Sequence, residues 1–407
     1  MPRFKSKVEN PNTKHKGYVV RLYPTEEQAT MIKKTIGSAR KIYNLLLQDT
    51  KEQYEKDKTF LHRSYTYYKN PDNWKAGEDY SYLNEVDSHA LNQAQLNLFQ
   101  AYQNFFAKRA GFPAFKRKAD PKQSYKTVYP RIEFKINENN KKTYYLRLPK
   151  IGFVKIKLSK LISDNYKIKS ATITKTSTDK YYASLMLEYE DKPQKAELDQ
   201  NNSIGLDMDM KNLFTDDQGN KVTYPKFYRL SQEKLARKQR QLSKMQKGSK
   251  NRQKQRIKVA KTHEKIANQR KDFLHKLSKD IADTYDIVVI EDLDLQTMSK
   301  SLNLGKSVYD NGWGMFTGML AYKLKDRGKV LIKVDKYFPS SKTCNVCGYK
   351  YDRLALSDRS WECPQCHTFH DRDINAAVNI RNEGLRIYSE STNCRADRDS
   401  SLILAGC

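Results

Sequence analysis

The chain has 407 residues, enough for two or three domains, with 38% hydrophobic and 30% charged residues. Its 76 Lys and Arg residues against 47 Asp and Glu give a formal net charge of +29, which predicts a polyanionic partner. The sequence lacks an apolar run of about eighteen residues and an apolar signal-peptide core, which excludes a membrane-spanning helix and favours the cytoplasm.

The N-terminal region is predicted to form an arm, a strand and a helix. Residues 1–16 are polar and basic, which is typical of a mobile arm, and residues 18–23 have the composition of a strand. Thr25 and Gln28 form a capping box, and apolar residues recur at helical spacing after it. The strand is therefore expected to lead directly into a helix.

A second helix is predicted over residues 88–108. Its buried stripe consists of six residues at helical spacing: Leu91, Leu98, Ala101, Tyr102, Phe105 and Phe106. The polar face carries Ser88, His89, Asn92, Gln93 and Gln95. Solvation is the simplest explanation for these residues. Because neutral amides can also hydrogen-bond base edges, contact with nucleic acid is the alternative.

Between residues 125 and 190 the apolar period changes to two. Segments that alternate apolar and polar residues are separated by turns, which predicts a small antiparallel barrel or sandwich. The strand at 18–23 is expected to join this sheet, so the helical block between them would be an insertion into a β domain.

Two carboxylate-bearing strands are predicted in the second half of the chain. Residues 203–209 form an apolar strand in which Asp207 and Asp209 share a face, because side chains alternate along a strand. Residues 287–290 are a continuous apolar run, typical of a strand buried on both faces, and Glu291 follows at its end.

A long basic stretch lies between these strands. Residues 228–272 contain sixteen Lys and Arg against three acids, and Gly248-Ser249 divides the stretch into two helices. A solvated basic face is the simpler explanation. Positive charges at this density would repel one another without a polyanion, which favours contact with a nucleic-acid backbone. The candidates are Arg237, Lys238, Arg240, Lys250 and Arg252.

The remaining C-terminal elements are short. Residues 299–312 are polar and expected to be flexible, 313–326 are predicted as a helix, and 330–334 as a strand. A helix is predicted to begin near Asp371. The tail from 389 to 407 is polar, lacks periodicity and is expected to be disordered.

Four cysteines form two Cys-x-x-Cys knuckles near the C-terminus: Cys344, Cys347, Cys363 and Cys366. About fifteen residues separate the knuckles, and this spacing can place four thiolates at the corners of a tetrahedron. Cysteines are reduced in the cytosol, so zinc is favoured over disulfides. Cys394 and Cys407 lie outside the knuckles and are interpreted as spare thiols.

Three acids stand at the ends of separate predicted elements: Asp207, Glu291 and Asp373. Singly, they have simpler explanations as a turn residue, a surface acid and a helix cap. Gathered around one small volume, they would repel one another unless cations neutralised them. Beside zinc knuckles in a basic protein, the combination favours metal-dependent phosphodiester cleavage, with two Mg²⁺ about 3.5–4 Å apart.

Several further segments match known patterns: 19–24 (VVRLYP), 111–116 (GFPAFK), 205–207 (GLD), 272–278 (DFLHKLS), 291–293 (EDL), 337–342 (YFPSSK) and 371–377 (DRDINAA). With the four cysteines, they make most of the chain resemble the TnpB family of transposon-encoded, RNA-guided DNA endonucleases, which are related to type V CRISPR effectors. The resemblance implies that Asp207, Glu291 and Asp373 bind Mg²⁺. Asp373, rather than Asp371, matches the family acid because it directly precedes x-Asn-Ala-Ala.

The resemblance also implies a multidomain α+β and α/β architecture. A wedge β-barrel would carry a helical recognition insertion, and an RNase H-like RuvC nuclease domain would carry an inserted zinc ribbon. The expected boundaries are 1–25 for the arm and first strand, 26–120 for the recognition domain, 121–202 for the wedge domain, 203–342 and 369–388 for the nuclease domain with its basic hairpin at 228–280, 343–368 for the zinc ribbon, and 389–407 for the disordered tail.

The partners and cofactors follow from the same resemblance. They are a guide RNA from the transposon end, target double-stranded DNA, two Mg²⁺ in the active site and one structural Zn²⁺. The protein is expected to be a monomer in the prokaryotic cytoplasm, associated with the nucleoid and not with a membrane. Because the guide pairs with one DNA strand, the protein itself would read only a short flanking motif.

The sequence departs from the family at two places. The family has glycine two residues after the first acid, whereas Asp209 here adds a carboxylate on the metal-facing side. The region that reads the flanking motif matches loosely, so its candidates rest on position and polarity: Ser88, His89, Asn92, Tyr125, Lys126 and Thr127. Two other functions are kept as alternatives, a guided repressor that binds DNA without cutting and a transposase.

Overall fold

The computed structural model describes residues 13–61, 63–74, 77–120, 123–128, 130–136, 142–158, 162, 165–190, 198–209, 212–294, 312–355 and 357–393. The chain divides into two compact units, Met1–Lys192 and Pro193–Cys407. Within the described ranges, no helix combines the length and apolar character needed to cross a membrane.

Two long helices, α1 (Glu26–Asp57) and α2 (Ser88–Phe106), belong to the first unit. The capping box that begins α1 is confirmed: Thr25 Oγ1 accepts from Gln28 N at 3.3 Å, and Gln28 Oε1 accepts from Thr25 N at 3.1 Å. Three short 3-10 helices lie between α1 and α2, at Tyr65–Lys69, Pro71–Asn73 and Ser81–Asn84. Phe106 was predicted to be buried but is 61% exposed, since it is the last residue of α2, at the end of the apolar stripe.

Seven antiparallel strands form the sheet of the first unit: β1 (Thr13–Tyr23), β2 (Gln123–Val128), β3 (Arg131–Ile136), β4 (Lys142–Leu148), β5 (Gly152–Lys157), β6 (Lys167–Lys175) and β7 (Tyr181–Glu190). Their order is β2-β6-β7-β1-β5-β4-β3, so the prediction that the N-terminal strand joins the sheet is confirmed. The strand begins at Thr13, inside the predicted arm. The edge strands β2 and β3 do not pair with each other among the described residues, so a closed barrel is not shown.

The second unit is built on a five-stranded sheet of order β10-β9-β8-β11-β12. Its strands are β8 (Ser203–Asp207), β9 (Phe214–Asp216), β10 (Lys221–Val222), β11 (Ile287–Glu291) and β12 (Val330–Val334). β8, β11 and β12 are parallel, whereas β9 and β10 form an antiparallel extension. The C-terminal ends of β8 and β11 therefore lie side by side at one edge.

Helices cover both faces of this sheet. Among the described residues these helices are α4 (Lys250–Thr284), α5 (Trp313–Lys325) and α6 (Arg372–Asn393), whereas α3 (Phe227–Ser243) packs against α4. Val288 and Ile290 of β11 pack in the cluster formed with α4 and α5, whereas Ile287 and Val289 pack in the cluster that contains Ile380 of α6. The prediction that this strand is buried on both faces is thus confirmed.

The basic stretch forms two helices, as predicted. Gly248 adopts a left-handed φ of 89° between α3 and α4, and Ser249 Oγ caps α4 by accepting from Arg252 N at 3.1 Å.

The C-terminal helix α6 runs through Asn393, so the prediction that the disordered tail begins at 389 is wrong for residues 389–393. Residues 394–407 and most of the predicted flexible segment at 299–312 lie outside the described residues.

The helix α6 approaches β8 closely because Gly205 has no side chain. A Cβ at this position would lie 2.2 Å from Ala377 O and 2.8 Å from Arg381 Cβ. Gly205→Ala is therefore expected to lower the free energy of unfolding by about 1–3 kcal/mol, as measured by denaturant unfolding, because neither contact is with a flexible side-chain end. Gly318→Ala in α5, where a Cβ would meet nothing within 4 Å, serves as the control. Equal stability of G205A and the wild type would contradict this packing.

Candidate active site and zinc site

Three acids converge at one edge of the five-stranded sheet. β8 and β11 pair in parallel with Leu206 opposite Ile290, so Asp207 and Glu291 follow on neighbouring strands, whose backbones lie about 4.8 Å apart. Asp373 lies in the first turn of α6, the helix that packs on β8 and β11. The fold thus gathers residues separated by more than 160 positions of sequence between the first and the last.

The three acids influence one another electrostatically. The pKa of Asp207 is raised to about 8 by burial and then by the negative charges of Glu291, Asp373 and Asp209. Burial also raises the pKa of Glu291, against the opposing effect of a hydrogen bond from Ser340. Ionising all of these carboxylates together is costly unless a cation is added.

The two aspartates at the start of α6 have different roles in the structure. Asp371 Oδ1 caps the helix by accepting from Asp373 N at 3.0 Å and Ile374 N at 3.2 Å. Asp371 Oδ2 also pairs with Lys221 Nζ at 2.9 Å, whereas Lys221 Nζ and Arg359 Nη1 lie 3.8 Å from the Asp373 carboxylate. The cap is therefore Asp371, whereas Asp373 is close enough to Asp207 to raise the pKa of that carboxyl group.

Asp209 is half-buried and close enough to raise the pKa of Asp207. Its Oδ2 accepts hydrogen bonds from the backbone N and the side-chain Nδ2 of Asn212, both at 3.2 Å. One oxygen of the extra carboxylate is thus held in the turn that follows β8.

Sequence reasoning missed a set of polar residues that ties Glu291 to the cysteine knuckles. Ser340 Oγ donates to Glu291 Oε1 at 2.6 Å. Asn375 and Asn379 of α6 are buried, and their side-chain amides bond the backbone of the segment 340–345. One sequence signal could have indicated them. Asn375 and Asn379 are spaced four residues apart shortly after Asp373, which places both on one face of the predicted helix.

The four predicted cysteines form one cluster, in which all the sulfurs lie within 4.8 Å of one another. The Cys344–Cys366 and Cys347–Cys363 sulfurs are 3.6 and 3.5 Å apart. A tetrahedral zinc site with Zn–S bonds of about 2.3 Å requires sulfurs roughly 3.8 Å apart, so the donor set fits zinc. Cys394 and Cys407 lie outside the described residues.

Short backbone turns and strands hold these sulfurs. Gly348 N donates to Cys344 O and His367 N to Cys363 O, both at 2.9 Å. The strands β13 (Ser360–Glu362) and β14 (Phe369–Asp371) flank the second knuckle and pair antiparallel, and β14 leads directly into α6. Sequence reasoning also missed His370, whose Nε2 lies 3.1 Å from Cys344 Sγ.

The candidates for flanking-motif contact do not all reach the surface. Ser88, His89 and Asn92 are exposed at the start of α2 and Lys126 is half-buried. Thr127 is 0% exposed and its hydroxyl donates to Asp87 Oδ2 at 2.5 Å, so its assignment as a surface contact is corrected. Tyr125, at 4% exposed, lines only the wall of a cavity, because β2 alternates its side chains between core and surface.

That cavity has a volume of about 370 Å³ and lies between α1, α2, β2 and the loop before β2. Its polar lining includes Gln93 and Lys116, and also residues that sequence reasoning did not single out: Arg40, Asn97 and Arg117. The loop is anchored by Asn44, which exchanges two hydrogen bonds of 2.9 Å with the backbone of Lys116.

In the α3–α4 hairpin, most of the basic candidates face outward. Arg237, Arg240 and Lys250 are exposed, whereas Lys238 and Arg252 are half-buried. Lys238 Nζ donates to Thr262 Oγ1 at 2.7 Å, which ties α3 to α4. The hairpin therefore presents a basic surface, with Lys238 serving in part as an internal contact.

Three family descriptions match separate segments of the chain. "Probable transposase" covers residues 184–302, "Cas12f1-like, TNB domain" covers 313–380, and "Helix-turn-helix domain" covers 13–59. In residues 13–59, which match the helix-turn-helix description, the structure has the strand β1 and the single helix α1. Two helices separated by a turn are not found in this segment as described.

Curated relatives and a solved structure match most of the chain. A Streptomyces pristinaespiralis protein named "Putative RNA-guided DNA endonuclease" is 34% identical, covering 95% of this chain and 93% of that protein. The Escherichia coli K12 protein "Putative RNA-guided DNA endonuclease InsQ" is 30% identical, covering 88% and 90%. A Cas12f1–sgRNA–target DNA complex is similar in fold, with a TM-score of 0.53 at 15% identity over 91% of this chain and 99% of that one.

The fold is therefore the mixed α/β fold of Cas12-type effectors, with a four-cysteine group suited to zinc. The chain belongs to the TnpB family.

Proposed function

We propose that this protein is an RNA-guided DNA endonuclease that cuts target DNA beside a short flanking motif, with Asp207, Glu291 and Asp373 as its Mg²⁺ ligands. The observation that carries the proposal is the convergence of these acids at the ends of β8, β11 and the start of α6. The names of the relatives and the net charge of +29 support a nucleic-acid substrate.

The donor set suits Mg²⁺, which prefers carboxylate oxygens and waters. When bound, two such ions would activate the attacking water and stabilise the leaving oxygen of the phosphodiester. The chain's own groups prepare the site. Ser340 holds Glu291, Asp371 caps the helix that carries Asp373, and Lys221 and Arg359 place positive charge beside Asp373. Those two cations would favour the approach of a phosphate.

The proposed domain assignment follows the two units. In the first, residues 1–25 and 121–202 form a wedge domain and 26–120 a recognition domain. In the second, 203–342 and the helix through Asn393 form an RNase H-like, RuvC-type nuclease domain around the zinc ribbon at 343–368. Support comes from the mixed sheet with its three adjacent parallel strands, β8, β11 and β12, and from the knuckles that precede α6.

Two surfaces are proposed to bind nucleic acid. The outward residues of the α3–α4 hairpin would bind the phosphates of a guide RNA from the transposon end. The exposed start of α2 and the adjoining cavity with Arg40 and Lys116 would face the flanking duplex, where arginine and amide side chains can reach base edges. The protein would act as a monomer in the cytoplasm, associated with the nucleoid.

The test is the nucleic acid that copurifies with the protein. A structured RNA of defined sequence is expected, because the basic helices need a polyanion, and it should dissociate as salt is raised. Sequencing that RNA from the purified complex checks the prediction. A preparation free of RNA that cleaves target DNA at full rate would support the transposase alternative, which the matching family description "Probable transposase" keeps in view.

A further inference from the structure

The carboxylate of Glu291 is held by a residue of the segment that leads into the zinc knuckle. Ser340 is 6% exposed, and its Oγ donates to Glu291 Oε1 at 2.6 Å. A buried hydroxyl that donates to a carboxylate restricts the rotation of the carboxylate and leaves its second oxygen directed elsewhere. The orientation of Glu291 therefore depends on where the backbone places Ser340.

Two asparagines of α6 determine that backbone position. Asn379 Nδ2 donates to Ser340 O at 2.8 Å and to Thr343 O at 2.6 Å. Asn375 Nδ2 donates to Thr343 O at 2.8 Å and reaches Ser340 O at 3.4 Å. The two asparagines lie one helical turn apart, so they clamp residues 340–343 along one face of the helix.

The same clamp reaches into the first cysteine knuckle. Asn375 Oδ1 accepts from the backbone N of Asn345, at 3.0 Å, and Asn345 directly follows Cys344. Asn375 also lies two residues after Asp373. One buried side chain thus connects the helix that carries an acid, the segment that carries Ser340, and the loop that carries two zinc ligands.

We infer that Ser340 is a positioning residue for Glu291, and that the zinc knuckle, clamped by Asn375 and Asn379, fixes Ser340 in place. The inference rests on the proposed function and assigns the zinc site a role in organising the cation site, in addition to folding its own loop. Partners that orient metal ligands typically change metal affinity or activity by about 10–100-fold when removed.

The decisive variant is Ser340→Ala in the full-length, zinc-loaded protein. Mn²⁺ binding to the RNA-free chain is measured by electron paramagnetic resonance, with Asp207→Asn as the blank for nonspecific sites. The expected result is about a tenfold or greater loss of Mn²⁺ affinity, with zinc content and thermal unfolding unchanged. In cleavage assays, the half-saturating Mg²⁺ concentration should rise more than the maximal rate falls.

Two further variants separate positioning from folding. Ser340→Thr retains the hydroxyl and should restore affinity, whereas Ser341→Ala, a neighbouring serine with no hydrogen bond to Glu291 in the described structure, should behave as wild type. Asn379→Leu, which removes the shorter of the two amide bonds to Ser340 O and also a bond to Thr343 O, should weaken Mn²⁺ binding as well.

The outcomes distinguish this inference from the proposed function. Unchanged Mn²⁺ affinity in S340A would overturn the inference while leaving the nuclease proposal standing. A second result would also overturn the inference. If S340A lost zinc or stability but bound Mn²⁺ normally once zinc was restored, the serine would contribute to the fold alone. Wild-type protein that binds Mn²⁺ no better than D207N would instead refute the proposed acid site.

Discussion

Replacing Asp207, Glu291 or Asp373 by alanine should lower the rate of target cleavage at least about a hundredfold and leave guided DNA binding largely unchanged. Binding and cleavage draw on different parts of the molecule. Affinity would come from guide–target pairing and from basic contacts spread over many phosphates. Cleavage would depend on cations held at one point, where the loss of a single carboxylate lowers occupancy or displaces the attacking water.

The structure offers matched controls for this prediction. Asp371 lies two residues from Asp373 but caps α6, so Asp371→Ala should cost about 1 kcal/mol of stability and leave much of the cleavage. Asp209→Gly restores the residue that the family has at this position and should retain activity. Cleavage and gel-shift assays on the same preparations measure both quantities. Cleavage by D373A together with loss of cleavage in D371A would show that the third acid is assigned wrongly.

Cys363→Ser should have the largest effect on stability. Cys363 is 0% exposed and belongs to the cluster that fits zinc, so the serine variant should lose the metal. The expected fall in the free energy of unfolding of the second unit is more than about 4 kcal/mol, a size typical of loss of a structural metal. Cleavage should fall as well, because the knuckle is hydrogen-bonded to α6 through Asn345 and Asn375.

Zinc content by metal analysis and thermal unfolding, measured together, check this second prediction. Cys394→Ser, which lies outside both knuckles, should retain zinc and stability. Active wild-type protein without zinc, or a C363S variant that equals wild type in stability and cleavage, would contradict a structural zinc site.

Local signals predicted much of the fold. The capping box at Thr25, the apolar run at 287–290 and the Gly248-Ser249 break were each sufficient to place an element, because caps, periodicity and turn residues act over a few neighbours. The predictions that were wrong depend on contacts with residues that are distant in sequence. Helical spacing put Phe106 on the buried face, but spacing alone does not show where along the helix the burial ends.

The candidate site likewise contains residues that the sequence indicated and residues that it did not. Asp207 and Glu291 stand out in sequence because they follow apolar strand residues, and Asp373 because it stands at a helix start. Parallel pairing of β8 with β11 brings the first two together. Ser340, Asn375 and Asn379 gave no comparable signal. Their roles arise from hydrogen bonds between segments that only the tertiary structure brings into contact. The prediction for Thr127 was wrong because a polar residue was taken as a surface contact, whereas its hydroxyl donates a buried hydrogen bond to Asp87.

Reprogramming the guide tests the central claim most directly. Purified protein is reconstituted with either of two RNAs that differ only in the guide segment, and each complex is given both matching target DNAs with Mg²⁺ or with EDTA. Cleavage should follow the guide, occur only with Mg²⁺, and disappear in D207A. Cleavage of both targets regardless of the guide, or undiminished cleavage in EDTA, would contradict an RNA-guided, metal-dependent nuclease.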